Sequence, residues 1–215
     1  MTEAVEPRRR YDSGRRREEA RRTRRAIVAA ARESFLDLGY ARTTIASVAQ
    51  EAGVSVETVY KAFGSKPRLA KAVFDVAIVG DDEPIPMIQR EMVAKIEAEP
   101  DPRRKLLLYG EHLATAGPRA GPLQLVLRSA AATDPDVAEL WESMLEERLF
   151  GMSAFARHLF DGGYLRDDIT LESARDVMWT YNSVEMYDLL VLRRGWKPET
   201  YGRWIAEAMI AALLR

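Results

Sequence analysis

Cysteine is absent from all 215 residues, which excludes disulfides, thiolate zinc sites and cysteine nucleophiles together. Histidine is almost absent as well: His112 and His158 are the only two, and neither stands at a metal-ligand spacing. No apolar run reaches the length of about 18 residues that a membrane span needs, and the N-terminus lacks the apolar stretch of a signal peptide. A soluble, cytoplasmic protein with no membrane partner is therefore expected. There is also no G-x-S-x-G elbow and no phosphate-cradling glycine loop, so no enzyme, no metal and no cofactor is expected. Convincing strands, internal repeats and low-complexity cores are missing too.

What is present is enough apolar material for a real core, 47% of residues, and a charge distribution that the net value of −1 conceals. Through Lys71 there are 16 Lys plus Arg against 9 Asp plus Glu, a balance of +7. The remainder carries 16 basic against 24 acidic residues, a balance of −8. Asymmetry of this size suggests a basic nucleic-acid module joined to an acidic body.

Residues 1–20 contain Pro7, Gly14 and two arginine triplets with little apolar content, and read as a disordered basic arm. Helical periodicity begins at about Arg21, with Ile27, Ala31, Phe35 and Leu38 on one face and Gly39 as its end. After the segment at 43–66 a further helix starts at Lys66, and the Gly80–Pro86 stretch marks the edge of a second region. Within that region helices are expected over Met87–Ala98, Pro102–Ala116 (stopped by Gly117-Pro118), Pro122–Ala132, Pro135–Phe160, Thr170–Arg194 and from Pro198 onward. The expected fold class is all-α with about nine or ten helices. Its domains are a basic arm at 1–20, a helix-turn-helix unit at 21–80 and a second helical domain at 81–215.

Residues 43–66, TTIASVAQEAGVSVETVYKAFGSK, carry the most information. Ile45, Val48, Ala49 and Ala52 recur at helical spacing, Gly53 interrupts them, and Val59 and Phe63 resume the apolar face. Gly53 stands where a helix ends and the chain reverses, and Ser55 follows as an N-cap with Glu57 in the next turn. Two short helices around such a turn form a helix-turn-helix, with a motif at 44–63, whose second helix enters the DNA major groove. The alternative on spacing alone is an ordinary helical hairpin.

The ordered set Phe35, Gly39, Thr43-Thr44, Ile45-Ala46, Ala52-Gly53-Val54-Ser55, Thr58, Tyr60, Phe63, Ser65-Lys66 and Leu69 resembles the tetracycline-repressor (TetR) family of bacterial transcription regulators. The resemblance covers about 50 residues; the rest matches only in being helical and of suitable length. Val56 stands where many members have a small or polar residue, and Pro67 where an acidic one is common. The family implies a homodimer, an N-terminal DNA-binding domain, and a C-terminal domain for ligand binding and dimerisation. Its regulators, typically repressors, bind an operator in double-stranded DNA and leave it when a small effector binds. Carried over by position, Thr44 and Tyr60 would hold phosphates or backbone, Val56, Glu57, Thr58 and Lys61 would face base edges, and Lys66 would grip a phosphate. Ser55, which caps the second helix, is taken with this DNA-binding set. Separately, Arg15, Arg16, Arg17, Arg21 and Arg22 could enter the minor groove or track phosphates.

In the acidic body the expected 170–194 helix is apolar on more than one side, so it needs burial on more than one side. Together with the 135–160 helix it suits a four-helix bundle across a two-fold axis, matching the homodimer the family implies. An effector pocket would draw on Tyr109, His112, Trp141, Met144, Trp179, Asn182 and Met186, with Trp179, Asn182 and Met186 sharing one helix face. Glu185 and Asp188 interrupt the apolar helix and are expected to meet arginines across the dimer or a cationic effector. A helical protein-interaction adaptor, or an enzyme acting on small molecules, are the other classes this chain could serve.

Overall fold

The computed structural model describes residues 8–215, and among these the chain is all-α. Ten helices follow in order: α1 (Arg8–Arg42), α2 (Ile45–Glu51), α3 (Val56–Phe63), α4 (Lys66–Val79), α5 (Glu91–Ala98), α6 (Pro102–Ala131), α7 (Pro135–Asp161), α8 (Leu171–Tyr181), α9 (Val184–Tyr187) and α10 (Pro198–Leu213). A 3-10 turn at Met87–Gln89 precedes α5 and a π-helical turn at Asp188–Arg193 follows α9. Among the described residues the only extended pairing is an isolated bridge between Leu165 and Leu214.

The chain divides into two compact units, and the division falls between Val73 and Phe74, inside α4, rather than at Gly80. The N-terminal unit buries Ile27, Ala31 and Phe35 of α1 with Val48 of α2, Val59 and Phe63 of α3, and Leu69 and Val73 of α4. Gly39, at φ 77°, turns the end of α1, so that Tyr40 goes into the core and stacks on Phe35 with ring centroids 5.6 Å apart. Leu38, expected on the buried face, is exposed as a result.

The C-terminal unit is built on α6 and α10, its most extensive helix pair. They cross where Gly110 and Gly202 lie backbone to backbone, an approach that only residues without Cβ allow. Leu106, Ile205, Met209 and Leu213 fill the core beside that crossing, joined by Met152, Ala156 and Leu159 of α7 and by Ala174 and Met178 of α8. Lys105 is buried, and its ammonium donates at 2.8 Å to the carbonyls of both Ile96 and Glu97, closing the C-terminal end of α5.

Four expectations are corrected. Residues 8–20, expected to be a disordered arm, are helical, because arginine, glutamate and alanine are strong helix formers and extend α1 backwards. Residues 1–7 of that arm lie outside the described residues. Gly117-Pro118 and Gly121-Pro122 do not stop a helix: α6 runs through both pairs for 30 residues. Tertiary packing overrides the local signal there, since the buried Tyr187 ring lies against both glycines, and a Cβ on Gly117 or Gly121 would come within 2.7 or 2.6 Å of it. The expected 87–98 helix begins only at Glu91, because Arg90 is extended and its guanidinium ties back to Asp81, Glu83 and Ile85. The expected 170–194 helix is broken at Asn182-Ser183 into α8, the single turn α9 and the π-helical turn, which ends at Gly195 with φ 70°.

Candidate nucleic-acid interface and interior cluster

Thr43 anchors the entry to α2 from below: it is buried and its hydroxyl lies 2.9 Å from the carbonyl oxygens of both Ser34 and Gly39. Thr44 caps α2, its side chain accepting from the Ser47 amide at 3.0 Å while Ser47 Oγ accepts from the Thr44 amide at 3.1 Å. Gly53, at φ 67°, then reverses the chain, and the Val54 amide returns to the Ala49 carbonyl at 2.9 Å. Ser55 caps α3 by accepting from the Thr58 amide at 3.1 Å. The two caps and the glycine fix the start of each helix and the turn that leads into α3.

With Val59 and Phe63 directed into the core, helical geometry turns Val56, Glu57, Tyr60 and Lys61 to solvent. Val56 is 41% and Tyr60 50% exposed, high values for large apolar or aromatic side chains on a helix. Thr58 is half-buried, and its hydroxyl lies 2.8 Å from Ser55 Oγ, leaving the methyl group as its free chemistry. The half-buried Lys66 does not project freely: its ammonium sits 4.0 Å over the Tyr40 ring. Tyr40 was not singled out in the sequence, although an aromatic directly after Gly39 was visible there. Arg24 lies 4.6 Å over Phe63, so α1 covers the far end of α3. Arg15, Arg16, Arg17, Arg21 and Arg22 are exposed along the N-terminal part of α1.

In the C-terminal unit, four of the seven expected pocket residues come together. Trp179 of α8 lies under the Arg148 guanidinium of α7 at 4.6 Å, and the Asn182 carbonyl accepts from that guanidinium at 3.2 Å. Tyr109 and Asn182 both reach the Met152 sulfur, at 3.7 and 3.8 Å, and Tyr109 packs on His112 and edge-on against Phe155. Met186 packs on the same core but from α9, so the single-helix face expected for Trp179, Asn182 and Met186 does not form. Met144 is buried and Trp141 half-buried, both outside the main core cluster. Arg148, Met152 and Phe155 were missed because Glu146-Glu147-Arg148 looks like a solvated face. Glu185 and Asp188 find partners within their own chain, Arg128 at 2.7 Å and Arg193 at 2.8 Å, which corrects the expectation of partners elsewhere.

Burial, reinforced by the Arg119 charge, holds His112 below the ordinary imidazole pKa. The unfolded chain takes up this proton as pH falls below about 6.5, before the folded chain does. More protons on the unfolded state mean that stability drops as pH falls through that window. Thermal melts from pH 7.5 to 5.5 should therefore decline less steeply for His112→Gln than for the wild type. Parallel profiles would contradict this.

A glycine-turned pair of capped helices in a basic unit, with the second helix presenting its polar and aromatic face, defines a class: the helix-turn-helix DNA-binding regulators. A family model described as bacterial regulatory proteins, tetR family, matches residues 27–73. The chain is 28% identical over 171 residues to the HTH-type transcriptional regulator TtgR of Pseudomonas putida, which covers 77% of this chain and 79% of that one. Residues 27–73 thus carry the segment that the tetR family model describes, and the chain as a whole is similar to a DNA-binding transcriptional regulator of that kind. Two solved structures share its fold. NalD of Pseudomonas aeruginosa, the secondary repressor of the MexAB-OprM multidrug efflux pump, aligns with a TM-score of 0.68 at 21% identity, over 90% of this chain and 96% of its own. The regulator FadR of Bacillus subtilis, solved with stearoyl-CoA, aligns with a TM-score of 0.68 at 18% identity, over 86% of this chain and 97% of its own.

Proposed function

We propose that this regulator is a homodimeric repressor that holds an operator with α3 and releases it when a small molecule occupies the C-terminal unit. The observation that carries this is the α3 face, where Val56, Glu57, Tyr60 and Lys61 stand free on a helix locked by two caps and a glycine turn. Lys61 has the chemistry to reach guanine acceptors, Glu57 to accept from cytosine N4, and Val56 or the Thr58 methyl to meet a thymine methyl. Thr44, Ser55 and Tyr60 would meet phosphates, and Lys66 would do so from its seat on Tyr40. The arginines of α1 would track the backbone beyond the operator core as a helix rather than as a loose arm.

Dimerisation through α7 and the α8-to-π-turn segment is supported by the apolar side chains left outside. Phe150 is 77% exposed, and Leu149, Phe160, Leu189 and Leu192 are exposed with it. NalD is a repressor and FadR was solved with an acyl-CoA, which favours a repressor answering to a small molecule. The α6–α8 cluster of Tyr109, His112, Trp179 and Asn182 would be the effector's site. At the start of the same unit, Arg119 of α6 donates to the Ala77 and Ile78 carbonyls at 2.8 and 3.1 Å, so movement of α6 would be felt by α4.

A small molecule found by thermal stabilisation should then release DNA. By linkage it must bind the free protein more tightly than the DNA complex, by the same factor as it weakens DNA binding. Isothermal titration of both forms checks this. Equal affinities would refute the mechanism.

A further inference from the structure

Hydrogen-bond donors outnumber acceptors inside the α6–α8 cluster. Arg148 Nε and Trp179 Nε1 are both buried without a partner. The Tyr109 hydroxyl and the Asn182 amide must share one thioether, a weak acceptor, at Met152. A guanidinium stays charged in proteins, yet among the described residues this one pairs with no carboxylate and is met by the Asn182 carbonyl alone. Glu185, whose charge acts on Arg148, is exposed and already paired with Arg128 at 2.7 Å. Around these donors the walls are aromatic or apolar: the Trp179 face, Tyr109, Phe155 and Met152. Unsatisfied buried donors cost free energy unless something else occupies them, and a buried cation costs more.

Resting on the effector role proposed above, we infer that the effector is an anionic amphiphile. Its acidic head is taken by Arg148 and the Trp179 indole N–H, and its aromatic or aliphatic body packs among Tyr109, Met152 and Phe155. The head would supply acceptor oxygens to Arg148 Nε and Trp179 Nε1, beside the one carbonyl, that of Asn182, which already accepts from this guanidinium. Arg148 is half-buried with its Nε shielded, whereas the fully buried Lys105 of the same unit needs no such ligand, because two carbonyls already accept from it.

Two fluorescent probes with one ring skeleton test this: 8-anilino-1-naphthalenesulfonate, an anion, and N-phenyl-1-naphthylamine, which lacks the sulfonate. The full-length wild type should bind the sulfonate about tenfold or more tightly than the neutral amine, the factor carried by one charge-assisted hydrogen bond. Arg148→Met, checked for native melting, should bring that preference down to about twofold while the neutral probe binds as before; Arg148→Lys should keep part of the preference. A preference that survives Arg148→Met, or a wild type favouring the neutral probe, overturns the inference and leaves the effector role standing. Binding of neither probe overturns it also. An Arg148-dependent preference whose occupied protein never leaves DNA upholds the inference and defeats the effector role instead.

Discussion

Gly110→Val should unfold the C-terminal unit or bring its melting temperature down by roughly 6 to 12 °C, the effect of about 3 kcal/mol in a domain of this size. The physical basis is the crossing of α6 and α10. At Gly110 a Cβ would collide with the Gly202 carbonyl oxygen and would come 3.0 Å from the Ala206 Cβ. Neither obstacle is a flexible side-chain end, so the two helices must move apart along their whole contact. That separation would open the core around Ile205, Met209 and Leu106, which are among the most buried side chains of the unit. Gly202→Val should fail in the same way, because its Cβ would meet the Gly110 carbonyl and the Ala114 Cβ. Since both substitutions force the same separation, the double variant should lose less than the sum of the two. Differential scanning calorimetry reads all three. A Gly110→Val protein melting with the wild type would mean that α6 and α10 do not meet at these glycines.

Tyr60→Ala should weaken operator binding about ten- to hundredfold in each half-site contact, the range for losing a hydrogen bond to a charged phosphate. Melting should shift by no more than a degree or two, because Tyr60 is half in solvent and no core residue depends on it. Its neighbour Val59 supplies the contrast. Fully buried in the core of the N-terminal unit, it holds α3 in place, so Val59→Ala would lower stability and DNA binding together. Fluorescence anisotropy on a labelled operator, beside a thermal melt of each variant, separates the two kinds of loss. If Tyr60→Ala retained full affinity, the proposed face of α3 would be wrong in rotation even if the helix were right in place.

Within the N-terminal unit the helix pair at 43–66 was legible in the sequence because its signals are local, whereas the backward extension of α1 and the burial of Tyr40 were not. Gly39 and Gly53 mark turns and Ser55 a cap through their immediate neighbours, and the structure places a turn or a cap at each; the cap that Thr44 makes on α2 was not read there. Lys66 was half legible: its place at the start of α4 was clear, but its stacking on Tyr40 depends on a residue 26 positions away. The C-terminal unit was legible only as helix. Gly117-Pro118 has the local chemistry of a stop, and nothing near it discloses that Tyr187 will require those glycines inside a continuous α6. Asn182-Ser183 carries too weak a local signal to reveal the break after α8. The interior cluster suffered most, because Arg148 sits between Glu147 and Leu149 in a stretch that reads as surface, while its stacking partner Trp179 lies on another helix.

The most direct test of the account is selection of binding sites by the full-length protein from a pool of random duplex DNA, followed by footprinting of the winner. A two-fold related site should emerge, with half-site centres about 34 to 36 Å apart or a multiple of that helical turn, and Tyr60→Ala should fail to protect it. Affinity should also fall linearly with the logarithm of salt concentration. Enrichment of no sequence, or of a site that Tyr60→Ala protects as well as the wild type, would contradict the assignment of α3 as the reading helix.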